Sequence, residues 1–157
     1  MKQPDQSLTE LDRKLLRALQ KDASLSHAAL AEEVGASSAS VWRRIRVLEQ
    51  AGILGATVRL VQPDRVGCGV NVMLQVRMRS HAPDKRLDFE AFIQGRPEVL
   101  ECHSMSGEWD YLMRIVAADV ADYERFLMRD MLNHPNVATS ASHFSLNQVK
   151  YTTAVPV

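Results

Sequence analysis

The chain lacks most of the residue groupings on which enzymes, disulfide-framed domains and membrane proteins are built. Only two cysteines occur among 157 residues, Cys68 and Cys102. They fit no metal-ligand spacing and make no disulfide framework, so both read as reduced structural thiols. His27, His81, His134 and His143 are scattered without ligand spacing, and no metal site is expected. Cys102 and His103 are adjacent, but neighbours on a strand point to opposite faces and cannot form a nucleophile–base pair. No other catalytic constellation is present, so we expect no catalytic residues and no enzyme. Long apolar runs are missing too. Nothing could span a bilayer, and Met1 to Asp12 has no apolar signal core, which predicts a cytoplasmic protein without a membrane partner. Finally, no charge sign dominates, since 19 Lys/Arg balance 19 Asp/Glu.

What is present describes a globular protein, with 46% hydrophobic and 24% charged residues in a length that suits one ordinary domain or two small ones. The seven methionines read as core fillers. The balanced charge is informative once divided. Residues 1–60 hold nine Lys/Arg against seven Asp/Glu, and residues 61–157 hold ten against twelve. From Ser37 to Arg59 four arginines face a single acid, Glu49, so a local balance of +3 falls on one stretch.

That stretch is the most informative one. Ser37 suits an N-cap and Gly52 a residue just past a C-cap, with about four turns of helix between them. Val41, Ile45 and Leu48 share one face by their four-then-three spacing, and that face is the buried one. Ser38, Ala39, Trp42, Arg43 and Arg46 point elsewhere. Small residues near the N-terminal end, an indole and guanidinium groups suit a helix laid into a nucleic-acid groove. Read alone, an ordinary amphipathic helix with a solvated basic face explains the stretch equally well. The preceding segment shifts the balance. Ser26 opens a short helix over His27 to Val34, and only Gly35-Ala36 separates it from Ser37, so the two helices must cross steeply as in a helix-turn-helix. Thr9-Glu-Leu11-Asp12 reads as a capping box with Asp at N3, opening a first helix with Leu11, Leu15, Ala18 and Leu19 on one side. Residues 53–62 read as β-rich, a wing beside the three helices.

Pro63 to Gly69 breaks the pattern and suits a hinge. Beyond it Val70, Val72, Leu74, Val76 and Met78 alternate with Asn71, Met73, Gln75, Arg77 and Arg79 as in a half-buried strand. A helix over Pro83 to Gln94, strands over Glu98 to Met105 and Tyr111 to Ala117, a helix opened by Asp119 with Val120, Tyr123, Leu127 and Met131 on one face, and a strand over Val137 to Leu146 complete a ferredoxin-like βαββαβ order. Val149 to Thr152 suits a short fifth strand. We therefore expect an α+β protein with three parts: a winged helix-turn-helix domain (1–61), a hinge linker (62–69) and an αβ domain (70–157). Such a unit leaves one sheet face bare, and the simplest cover is a second copy around a two-fold axis.

Leu11-Asp12-Arg-Lys-Leu15-Leu16, Leu19-Gln-Lys-Asp22, Leu30-Ala31, Val34-Gly35, Arg44-Ile45-Arg46-Val-Leu48-Glu49-Gln-Ala-Gly52-Ile53, Gly67, Pro97-Glu-Val99, Gly107-Glu-Trp109-Asp110 and Val149-Lys150 stand in order over nearly the whole chain. In this the sequence resembles the Lrp/AsnC (feast/famine) transcriptional regulators. The resemblance implies a DNA-binding regulator of amino-acid metabolism, dimers that assemble to tetramers or octamers, and an amino-acid effector in place of any cofactor. The free face of the Ser37 helix predicts DNA contacts from Ser37, Ser38, Ala39, Ser40, Trp42, Arg43, Arg44 and Arg46, and Arg44, which matches the family's arginine, reads as a phosphate clamp. The resemblance also implies an effector site at Ser104, Met105, Ser106, Gly107, Glu108, Trp109 and Asp110. For an α-amino, α-carboxylate ligand, Asp110 or Glu108 would take the ammonium and backbone N–H groups the carboxylate; a plain hairpin turn is the other reading of that loop. Trp109 stands where the family commonly has Tyr or Phe, and Ser38-Ala39-Ser40 where many members have prolines. The ending from Lys150 and the Trp42-Arg-Arg-Ile run resemble the cysteine-sensing branch, which makes cysteine, beside the branched-chain amino acids, an effector to test. An architectural DNA-binding protein without an effector is the alternative.

Overall fold

The computed structural model describes residues 8–157; the first seven residues of the Met1 to Asp12 stretch, read as having no signal core, lie outside the described residues. The chain forms two compact units, one running up to Arg59 and including Lys150–Val157, the other Leu60–Val149.

The first unit is trihelical: α1 (Glu10–Lys21), α2 (His27–Val34) and α3 (Ser38–Gln50). Each starts on the cap its sequence supplies. Thr9 Oγ1 accepts from the Asp12 amide while the Asp12 carboxylate accepts from the Thr9 amide at 2.8 Å, a complete capping box. Ser26 and Ser37 accept from the amides of Ala29 and Ser40. Gly35, at φ 71°, ends α2 in the left-handed conformation that makes the tight turn into α3 possible. Leu15, Ala18, Leu30, Ala31, Val34 and Val41 form the core between the helices. Residues 55–62 form no strand. Val58, Leu60 and Val61 are 71, 59 and 64% exposed, because the alternation that marks a strand meets no partner strand to pair with. Val149 to Thr152 forms no strand either. The tail instead lies against α1: the Val155 amide donates to Gln20 Oε1 at 2.7 Å, Gln20 Nε2 donates to the Val155 carbonyl at 3.2 Å, and Arg17 Nε donates to the Val157 carbonyl at 2.7 Å.

The second unit begins with a 3₁₀ turn over Pro63–Val66 and contains β1 (Val70–Met78), α4 (Pro83–Gln94), β2 (Val99–Ser104), β3 (Tyr111–Ala117), α5 (Val120–Phe126), a π-helical turn (Leu127–Met131) and β4 (Val137–Phe144). The sheet order β2-β3-β1-β4, antiparallel throughout, is the ferredoxin-like arrangement. Val72, Leu74, Val76 and Met78 of β1 and Tyr111, Met113, Ile115 and Ala117 of β3 join Phe89, Ile93, Tyr123, Phe126 and Met131 in one core. The bare face is therefore the opposite one, carrying Asn71, Met73, Gln75, Leu112 and Val116. The α5 stripe differs from its expected form. Tyr123 and Met131 are buried and Leu127 packs against the core as expected, but Phe126 is buried too and Val120, the first residue of α5, is 59% exposed.

Candidate nucleic-acid interface and effector loop

The three arginines of α3 divide by face. Arg44 follows Val41 by three and precedes Leu48 by four, so it lies on the side turned to the core. Its guanidinium forks onto Asp12, Nε to Oδ1 at 2.8 Å and Nη2 to Oδ2 at 2.7 Å. Asp12 is 1% exposed. Burial alone would raise its carboxyl, but the hydrogen bonds from Arg44 and Thr9 outweigh that and hold it below the usual range. The phosphate-clamp role expected of Arg44 thus meets a side chain already committed to holding α3 on α1. Ser38, Ala39, Trp42, Arg43 and Arg46 are exposed, Trp42 to 54%, and Ser40 is half-buried. Ser37 is exposed and spends its hydroxyl on the cap. Among the described residues Arg46 reaches only Glu49, at 3.4 Å on the surface, a pair weak enough to yield to a phosphate or base. Trp42, Arg43 and Arg46 therefore form an uncommitted cationic and aromatic face.

The loop after β2 is a hairpin connection closed by the Met105 amide on the Asp110 carbonyl at 2.8 Å. Gly107 takes φ 118°, open only to glycine without strain. Arg77 clamps the loop from β1: Nη2 donates to Glu108 Oε1 at 2.6 Å, Nε donates to the Glu108 carbonyl at 3.2 Å, and the guanidinium lies 5.2 Å from the Trp109 ring centroid. Asp110 is occupied as well. Its Oδ2 accepts the Met78 amide at 2.7 Å, where the β1–β4 register shifts, and its Oδ1 lies 3.3 Å from His81. Ser104 meets Arg86 at 3.4 Å, and Tyr111 donates to Glu90 at 2.7 Å. Burial and then that hydrogen bond raise the Tyr111 hydroxyl, so it stays a donor at neutral pH. Met105, Ser106 and Glu108 are exposed.

On β2, Cys102 pairs with Met113 and His103 with Leu112, on opposite faces. Although Cys102 as a residue is exposed, burial of its thiol and the nearby Glu90 push it up to about 11, so it is protonated at neutral pH. Among the described residues no group of three His, Cys, Asp or Glu could hold a metal ion, and no helix is long and apolar enough to cross a membrane.

Two family models match the two parts of the chain: a winged helix-turn-helix DNA-binding model over residues 8–54 and the Lrp/AsnC ligand binding domain over residues 71–155. The chain belongs to the Lrp/AsnC family. It is 37% identical over 150 residues, 96% of this chain and 99% of the relative, to the DNA-binding transcriptional activator DecR of Escherichia coli. It is 31% identical to the leucine-responsive regulatory protein of Salmonella typhimurium over 95% of this chain and 91% of that one. Among solved structures, a transcriptional regulator of Neisseria meningitidis in complex with L-Met matches with a TM-score of 0.91 and 35% identity, covering 96% and 97% of the two chains. As an Lrp/AsnC protein it is a DNA-binding transcriptional regulator with a winged helix-turn-helix and an α+β ligand-binding domain. Sequence reasoning missed Arg77, Arg86, Glu90 and His81 beside the loop of this Lrp/AsnC domain. Arg77 and Glu108 are 31 residues apart, and no local pattern announces such a pair.

Proposed function

We propose that this regulator reads double-stranded DNA with the outer face of α3 and changes its DNA binding or assembly when a free α-amino acid occupies the 104–110 loop. The observation that carries the DNA reading is the division of the arginines. Arg43 and Arg46 are left outward with Trp42 and the small residues Ser38, Ala39 and Ser40, while Arg44 is spent internally and supports the helix from behind. Phosphate and base contacts both require such an uncommitted basic face. Ser37 orients the helix N-terminus toward the backbone phosphates.

The effector reading is supported by the match to the Lrp/AsnC ligand-binding domain and by the L-Met complex of the Neisseria relative. The loop brings backbone N–H groups at Ser106 and Gly107 beside Glu108, Trp109 and Asp110. Because Asp110 already serves the Met78 amide, Glu108, exposed and released from Arg77 at little cost, is the readier partner for a ligand ammonium. Assembly follows from the bare face of the sheet, which a second copy covers; dimers and their tetramers or octamers then bring several α3 helices to one DNA. The cytoplasm is where such a regulator works, and a chemical step has no place in this reading. A gel shift with the protein's own upstream DNA, with and without each of the twenty amino acids, tests it. Retardation that at least one amino acid alters, methionine, cysteine and the branched-chain set first, is the expected outcome. Retardation indifferent to all of them favours an architectural DNA-binding protein, and no retardation removes the reading.

A further inference from the structure

His134 stands where α4, the end of β1 and the start of β4 meet. It follows the π turn and opens a turn into β4, in which the Val137 amide donates to the His134 carbonyl at 3.0 Å and Pro135 takes the second position. Its ring is buried against two phenyl rings of α4, edge-on to Phe89 at 5.3 Å and tilted on Phe92 at 4.7 Å. Nδ1 accepts the Asn136 amide at 3.2 Å. A backbone amide can only donate, so Nδ1 carries no proton and the ring is the neutral form protonated at Nε2. Asn136, buried too, ties the turn to its neighbours. Its Nδ2 donates to Asp88 Oδ2 at 2.8 Å and to the Lys85 carbonyl at 3.3 Å, and its carbonyl accepts the Arg79 amide at 2.8 Å, one residue past β1.

A second proton must go on Nδ1, where it meets the Asn136 N–H donor to donor, so the ring cannot charge and keep its place. Of the charged groups on the elements around it, Asp88 of α4 lies within ion-pair reach, its Oδ2 3.7 Å from Nε2. Lys85 pairs with Asp84, Arg96 lies over the Phe92 ring and is held by Asp130 of the π turn, and Arg79 brings its backbone amide. Burial lowers the His134 pKa, and the Asp88 charge offsets only part of that. The Asp88 side chain is 63% exposed, so an imidazolium that leaves the phenyl rings can meet it at the surface. The geometry points to a two-position latch: neutral His134, seated on Phe89 and Phe92, holds the start of β4 to α4 and β1, and protonated His134 swings out onto Asp88 and releases them. The closed position is complete above the free-histidine value of about 6.5 and weakens as the pH falls below it. Release reaches the 104–110 loop from two sides, since α4 carries Arg86 to Ser104 and Glu90 to Tyr111, and the Met78 amide beside Arg79 holds Asp110. The latch needs no ligand.

Nuclear magnetic resonance of the full chain, with isotope-labelled histidine and backbone amides and titrated from about pH 8 to 5, tests this. The expected result is a His134 ring that titrates below about 6.5, with the amides of Arg79, Asn136 and Val137 moving at the same midpoint. His134→Asn, whose Oδ1 can accept the same amide, identifies the ring signal and should abolish that amide transition. Asp88→Asn keeps an acceptor for Asn136 without the charge, and should move the midpoint to lower pH. A ring that titrates at or above the free value, that stays neutral down to about pH 5, or that titrates while the Asn136 amide stays still overturns the latch. So does an amide transition that survives His134→Asn, or a midpoint that Asp88→Asn leaves in place or raises. The wild-type titration decides the matter by itself where a variant does not fold.

Discussion

Asp12 serves two neighbours at once, closing the capping box with Thr9 and gripping Arg44 on the next helix but one. Removing it uncaps α1 and strands a partly buried guanidinium, so Asp12→Ala should cost about 2–4 kcal/mol of stability in the helical unit. Arg44→Ala should also lower the melting temperature. Arg43→Ala and Arg46→Ala should leave melting unchanged and weaken DNA binding by about 1–3 kcal/mol where the lost contact is a bidentate base contact. Thermal melts and gel shifts run side by side separate the two classes, and equal effects from all three arginines would refute the division. The same carboxylate gives a pH dependence. Its folded pKa lies below its unfolded value, so its stabilisation is present above the unfolded value near 3.9 and is lost as pH falls through the folded one. Asp12→Asn should flatten the acid limb of stability below about pH 4, measured by denaturant melts across pH.

Among the elements, the sheet makes the sharpest test of assembly. Leu74 is wholly buried against the helices, so Leu74→Asp should unfold the unit, at a cost of about 4 kcal/mol or more. Met73 and Leu112 sit on the uncovered face, and Met73→Asp or Leu112→Asp should lower the particle mass in light scattering while the circular dichroism stays native. Unfolding by the second pair would mean that the face is already packed within one chain. The inward face of β1 follows its alternation, since Val70, Val72, Leu74, Val76 and Met78 are all apolar and the other half has only Met73, but what covers the outer face is not written in one chain. The caps, the helix borders and the succession of helices and strands along the chain were legible because each depends on residues close together in the chain. The absence of a strand over 55–62 and the Arg77 clamp were not, since a strand needs another strand to pair with and Arg77 meets Glu108 from 31 residues away. The α3 arginines show the boundary within one site. Spacing alone puts Arg44 inward, yet only the fold supplies Asp12, 32 residues earlier.

For the molecule as a whole, regulation is a coupling between sites and is read as a difference between states. Ser106→Trp fills the loop by bulk, so it should abolish the amino-acid effect on DNA binding while leaving effector-free affinity within about twofold, measured by titrated gel shift. A change in effector-free affinity instead would mean that the loop acts on the DNA-bound state by itself. The tail makes a separate prediction. Three exposed hydrogen bonds tie it to Arg17 and Gln20, each worth about 0.5–1 kcal/mol at most. Gln20→Ala should accordingly lower the helical unit's stability by about 1–2 kcal/mol, visible in a denaturant melt.

That tail also sets an order of events in time. The helices are complete in the chain by Gln50, but the residues that lie across α1 come only after the ninety residues Leu60–Val149 of the other unit. On a ribosome adding about 5–20 residues each second, the reading head therefore spends several seconds or more without its strap, and its last contact forms only when the sensing unit has been made in full.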